Sequence, residues 1–459
     1  MTPYPGVAMS KRPEPAPSAP TASSRPGPTV PAALADVPAL AIRTVLLPDA
    51  PDLLALLPPS ARRDGSCTWV RDGDGLVGWG VAARCETAGE QRFAEAQQWW
   101  RRLVAEADVC DTVQAPGSGA VAFGSFAFSP DSTAGGALVV PRVVVARRGA
   151  RAWVTTATPL EGPRSPEAVS GVAAAEPPDW PGEAVFFDGA LPGPAWQAAV
   201  ARAVARIADG ALDKVVLARG ELAEAERPVD PRWLVRRLAA DYPRTWVFHV
   251  DGLAGATPEM LVRLERGLVT SRVLAGTIRR TGDDEHDLAL AASLARSSKD
   301  LEEHEYAVRS VADVLDPHCT STNVPETPFV LHLPNVMHLA TDVTGRLVNG
   351  ATSLSLAAAL HPSAAVCGTP RTDAAALIDE LEGMDRGRYA GPVGWIDGAG
   401  DGEWGIALRC GEIDAHDPRR LRLFAGCGIV AGSDPAAELA ESDAKLMPMR
   451  AALTDGPLA

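Results

Sequence analysis

What most constrains this chain is the order of its apolar runs, which lack the regular strand–helix–strand alternation of a parallel sheet. Runs at 40–47, 77–85, 120–128 and 137–145 are apolar or alternating and bounded by Gly, Pro and Asp, the pattern of strands, with one amphipathic helix at about 90–107 among them. A Pro- and Gly-rich passage at 162–194 reads as a connecting loop. Beyond it the periodicity predicts a helix at about 195–209, a strand at 213–219, a helix at 231–241 and strands at 245–250, 261–264 and 269–277. A largely helical stretch at 285–316, a strand at 330–339 and helices at 353–360 and 371–383 follow. A hairpin of 393–397 with 404–410, a strand at 420–430 and a last helix at 434–453 complete the series. Such an order predicts an α+β fold, with large antiparallel sheets and helices packed outside them.

The 459 residues, 46% hydrophobic and 22% charged, suffice for a substantial core in one large domain or two to three ordinary ones. Residues 1–35, rich in Pro, Ala and Ser, bury too little apolar surface to offset chain entropy, and a disordered tail is expected there. A net charge of -15 argues against a nucleic-acid partner, which needs a basic face, but leaves room for a small anion held by a few local Arg or Lys side chains. The seven cysteines are odd in number and scattered, with no C-x-x-C. A reduced, cytoplasmic protein without disulfide framework or zinc site is expected. No apolar run reaches the ~20 residues of a membrane span, and the N-terminus lacks the signal-peptide pattern.

Several stretches could carry chemistry. Lys214 stands at the mouth of the apolar run Val215-Val216-Leu217. Desolvation there disfavours the ammonium and makes it a candidate base, although taken alone the position reads first as a lysine snorkelling from a strand end. Thr257-Pro258-Glu259 sets a glutamate after a turn, a general acid if buried and a plain turn residue if not. Asp300 and Glu303 share one helix face, as do Glu438 and Glu441, with Lys445 one turn beyond. Facing one cavity, two such carboxylate pairs would hold a hard cation; singly, each is an ordinary solvated face. Arg409, placed within the strand 404–410, suits either a carboxylate clamp or a structural ion pair. His338 in its apolar strand suits a core position. Gly426-Cys427-Gly428 has the wrong spacing for a dinucleotide loop, and hydrolase, Walker and zincin motifs are absent.

Taken in order, nine stretches over about 195–450 resemble the chorismate-utilising enzymes, the isochorismate, salicylate, anthranilate and aminodeoxychorismate synthases. They are Asp-Lys-Val-Val-Leu-Ala-Arg (213–219), Thr-Pro-Glu-Met-Leu (257–261), Leu-Ala-Gly-Thr-Ile-Arg-Arg (274–280), Lys-Asp-Leu-Glu-Glu-His-Glu (299–305) and Val-Met-His-Leu (336–339). His-Pro-Ser-Ala-Ala-Val-Cys-Gly-Thr-Pro (361–370), Tyr-Ala-Gly-Pro-Val-Gly-Trp (389–395), Phe-Ala-Gly-Cys-Gly-Ile-Val (424–430) and Glu-x-x-Glu-x-x-x-Lys (438–445) complete the set. The resemblance implies a four-layer α/β/β/α body with its cavity between two sheets. Residues 36–190 would form the family's variable part and 191–456 its chorismate-binding region. It implies Mg²⁺ on Glu303 and Glu441, with Asp300 and Glu438 nearby. Arg409 and Lys445 would balance the substrate's second negative charge, and Gly276, Thr277, His338, Tyr389 and Gly426 would touch it.

Water-using members carry a lysine at the position of Lys214, where ammonia-using members typically have glutamine. Lys214 as base and Glu259 as acid then imply isochorismate as product. At Ala365, salicylate and anthranilate synthases tend to have threonine, so alanine favours stopping at isochorismate over the alternative of a salicylate synthase. A catalytically silent ligand-binding relative is the other alternative. No amidotransferase partner is implied, and a monomer is expected.

Overall fold

The computed structural model describes residues 37–59, 65–160, 173–334 and 336–456, without the side chains of Lys299 and Glu303; the tail expected at 1–35 lies outside them. Among the described residues every strand pairing is antiparallel except that of Leu40–Leu46 with Asp108–Asp111. One sheet runs from Asp108–Asp111 through Leu40–Leu46, Arg151–Pro159, Gly136–Arg148, Asp74–Thr87 and Ser66–Arg71. It continues through Trp246–Val250, Leu253–Thr257, Cys410–Ile413, Arg420–Ile429 and Lys214–Ala225 to Ala184–Asp188.

The second sheet branches from the first half of Gly136–Arg148 into Val121–Phe126, Pro392–Asp397, Gly402–Ile406, Met260–Glu265, Leu268–Arg279 and Val336–Leu347. Trp69, on the first sheet, donates its indole N–H to Glu403 on the second at 2.7 Å. A Cβ on Gly405 would lie 2.9 Å from the Trp69 ring, so only glycine lets the sheets approach this closely there. Gly193–Ala208, Pro231–Asp241, Arg371–Glu382 and Pro435–Thr454 cover the outer face of the first sheet. Arg92–Glu106, Asp284–Leu294, Ser298–Leu315 and Ser353–Leu360 lie on the side of the second. The expected α/β/β/α layering is the result, with Trp69, Phe123, Phe248, Trp395 and Trp404 among the core between the sheets.

Three local expectations are corrected. The helical stretch 285–316 is two helices, because Ser297 accepts from the Asp300 N–H at 3.3 Å and starts a new one. Within the supposed loop 162–194, of which 162–172 lie outside the described residues, Ala184–Asp188 is an edge strand on Lys214–Ala225. The strand at 330–339 is two, Phe329–His332 and Val336–Leu347, paired with each other.

Candidate active site

The chain crosses from one sheet to the other twice beside a single cavity. Leu253–Thr257 belongs to the first sheet and Met260–Glu265 to the second, and the link between them is Pro258-Glu259. Gly402–Ile406 belongs to the second and Cys410–Ile413 to the first, with Ala407, Leu408 and Arg409 between. Arg409 is therefore not inside a strand, as the sequence suggested; the strand ends at Ile406 because the chain must change sheets. Its φ of 48° is the left-handed turn that makes the change, an unfavourable conformation for a non-glycine residue. The two links brace each other, Ile406 N–H donating to Glu259 O at 3.1 Å and Ala256 N–H to Arg409 O at 3.2 Å.

The cavity between them, ≈ 150 Å³, is lined by Lys214, Glu259, Gly276, Thr277, Asp300, His338, Ala365, Tyr389, Arg409, Gly426, Glu438, Glu441 and Lys445. Each was singled out in the sequence; Glu303, one turn beyond Asp300, has a side chain outside the described residues. Lys214 is the first residue of its strand and only 7% exposed. Glu259 is 5% exposed, and burial pushes its carboxyl up to about 8 against the pull of Lys214, Arg409 and Lys445. At neutral pH it carries its proton.

The other polar groups are fixed by their neighbours. Burial holds His338 well below its ordinary value, with Arg409 and Lys445 adding to the effect, so the ring is neutral. Arg409 has only donors, hence at 3.4 Å from its guanidinium Nε2 accepts, and Nδ1–H is left to donate to Thr277 Oγ1 at 3.0 Å. Burial alone would lower the Lys445 ammonium, but Glu441 at 2.5 Å raises it, and it also donates to Gly426 O at 2.9 Å. Lys445 is thus a fixed cation.

Glycine is required where the walls come closest. Gly276, φ +76°, sits at the register shift between the strands Leu268–Arg279 and Val336–Leu347, and a Cβ there would lie 3.1 Å from Asp300 Cβ. A Cβ on Gly426 would meet Leu217 O at 2.8 Å and the Tyr389 hydroxyl at 3.1 Å. Tyr389 itself stacks on Phe424 at 5.1 Å between centroids.

Glu438 and Glu441 lie on the last helix with Cys427 Sγ beside them, their ligand atoms within 4.8 Å of one another. The carboxylates suit a hard divalent cation. Cys427 does not: burial raises its thiol well above its ordinary value, and Sγ donates to Glu438 O at 3.4 Å, so the sulfur is protonated. The helix is tied to the lysine strand by Arg219, whose Nε donates to Ser442 Oγ at 2.8 Å and whose other end pairs with Asp443. Sequence reasoning missed Arg386, a buried cation in the cavity wall. Its only signal was an i, i+4 spacing from Glu382, which usually marks a surface pair.

The family model described as "Chorismate binding enzyme" matches residues 42–454. The chain belongs to this family of chorismate-binding enzymes. Among curated relatives it is 34% identical over 409 residues to the Salicylate biosynthesis isochorismate synthase of Pseudomonas aeruginosa, covering 84% of each chain. It is 41% identical over 266 residues to Isochorismate synthase DhbC of Bacillus subtilis, covering 55% of this chain and 66% of that one. Among solved structures, MenF, the menaquinone-specific isochorismate synthase of Escherichia coli, superposes with a TM-score of 0.75 at 26% identity, covering 91% of this chain and 95% of that one. Among the described residues no helix is long and apolar enough to cross a membrane.

Proposed function

We propose that this chain is an isochorismate synthase, converting chorismate to isochorismate by adding water at C2 with loss of the C4 hydroxyl. The observation that carries the proposal is the buried carboxyl of Glu259, raised by that burial, in the same cavity as Lys214. Lys214 takes a proton from water as its oxygen bonds to ring C2, the double bonds shift, and the C4–O bond breaks as Glu259 delivers its proton to the departing hydroxyl, which leaves as water. Arg409 and Lys445 face the substrate's anionic groups, with Arg409 offering a planar fork to a carboxylate. His338, locked as a neutral tautomer by Arg409, adds no charge to the wall.

Asp300, Glu438 and Glu441, with Glu303 on the same helix as Asp300, would hold Mg²⁺, an oxygen-ligand cation that fits this donor set. When bound, the ion would neutralise and orient a ring carboxylate. Ala365 leaves its side of the cavity without a hydroxyl, which supports release of isochorismate over its further cleavage. All seven cysteines are free, which supports a reducing compartment, the cytoplasm. The test is to incubate the purified protein with chorismate and Mg²⁺ and separate the products. Isochorismate is the expected outcome; salicylate with equimolar pyruvate would assign a salicylate synthase instead.

A further inference from the structure

We propose that Glu382 and Arg386 act as a positioning pair that replaces a missing length of strand beside Lys214 and fixes the lysine against the Ala365 segment. The role, though not the geometry, rests on the isochorismate synthase reading.

The lysine strand is paired along one edge by Arg420–Ile429. On its other edge Ala184–Asp188 pairs only with 221–225, and beside the lysine the pairing is short: Gly368 and Thr369 lie opposite Val215 and Lys214, and Val216 N–H donates to Cys367 O at 2.8 Å. There the neighbouring segment turns away to form the cavity wall at Ala365 and Val366. Val216 O and Ala218 N–H would face the interior without a strand to meet them, at the cost of buried unsatisfied backbone groups. Two side chains meet them instead. Arg386 Nη2 donates to Val216 O at 2.7 Å, and Glu382 Oε1 accepts from Ala218 N–H at 2.7 Å. Arg386 Nη1 also donates to Val366 O at 2.9 Å, so one guanidinium ties the lysine strand to the residue after Ala365.

The pair is closed on itself, Arg386 donating from Nε to Glu382 Oε2 at 2.9 Å and from Nη2 to Oε1 at 2.5 Å. Four of the five guanidinium N–H groups are thereby used, so Arg386 is part of the cavity wall rather than a free clamp for substrate. Glu382 is 2% exposed and Arg386 3%. The carboxylate also sits in the last turn of the helix Arg371–Glu382, where the helix dipole disfavours negative charge. A surface ion pair would not be kept in so costly a place, and one that completes a backbone ladder has a reason to be. Lysine could keep the charge but not the planar fork that reaches two carbonyls and a carboxylate at once.

The experiment compares full-length wild-type protein with Arg386→Lys and Glu382→Gln in the presence of Mg²⁺, reading kcat and KM for chorismate and amide exchange over 214–218. For Arg386→Lys we expect kcat to fall by about 10- to 100-fold with KM within about threefold, the pattern of a displaced reacting group rather than a lost substrate contact. Exchange at Val216 and Ala218 should quicken, and Glu382→Gln, which keeps the acceptor for Ala218, should show the smaller effect on both. Added guanidinium should restore part of the turnover of Arg386→Ala. A wild-type kcat with raised KM in Arg386→Lys would make Arg386 a substrate clamp and overturn the proposal, as would unchanged exchange in all variants. Should the wild-type protein turn over no chorismate, the functional reading alone falls, and the exchange data still decide whether the pair holds the strand.

Discussion

Two buried carboxyls in this molecule are raised by the same cause and have different surroundings. Burial brings Glu259 to about 8 and Asp397, helped by Asp401, to about 7. Asp397 ends the strand Pro392–Asp397 and is enclosed by backbone, accepting from Gly117 N–H at 3.0 Å, Ala399 N–H at 2.9 Å and Asp401 N–H at 3.0 Å. Its oxygens hold a hairpin turn together. Glu259 instead lines a cavity with Lys214 and the cations Arg409 and Lys445. Burial alone therefore does not mark a reactive acid; Asp397 is tied up by three backbone N–H groups, whereas Glu259 shares its cavity with charged and polar side chains that can meet a substrate.

The contrast can be broken experimentally, most severely at the cavity. Lys214→Ala should lower kcat by about 10³- to 10⁴-fold and Glu259→Gln by about 10²- to 10⁴-fold, measured as isochorismate formed, with folding judged by circular dichroism intact. A Lys214→Ala protein with wild-type turnover would refute the assignment of the base. Chelation with EDTA should abolish turnover in wild-type and Asp397→Asn proteins alike, and Mg²⁺ should restore it in both, because the turn carboxyl takes no part in holding the ion. The decline of kcat/KM with rising pH should have a midpoint at about 8, as Glu259 loses the proton it must donate. Asp397→Asn should leave turnover within about twofold and act on stability alone, as expected for a site outside the cavity.

The sign of that last effect follows from linkage. The folded value of Asp397, about 7, lies above the ordinary 3.8, so between these limits the folded state binds more protons than the unfolded one. Stability then falls as pH rises across this window and levels off above it. Asn at 397 should flatten that dependence in thermal melts, while Glu259→Gln should flatten the corresponding dependence between 4.5 and about 8.

Much of this was legible in the sequence, and what was not has physical reasons. The lysine strand, the Thr-Pro-Glu turn and the carboxylates Asp300, Glu438 and Glu441 are local patterns, and the chain lays them round one cavity. Ser66–Arg71 and Arg151–Pro159 escaped because they are almost continuously buried and lack the alternation that marks a half-exposed strand. Arg409 was misplaced because nothing in Trp-Gly-Ile-Ala-Leu-Arg-Cys announces that the chain changes sheets at residue 407; only the layering imposes it. Glu382 and Arg386 look like any i, i+4 pair until the backbone they complete is known.

The cavity draws on all four layers at once: Asp300 from a helix outside one sheet, Glu438 and Glu441 from a helix outside the other, Lys214 from a strand, and Glu259 from a crossing link. No subset of layers contains both the proton donor and the full carboxylate set. Activity should therefore require all four layers to be in place.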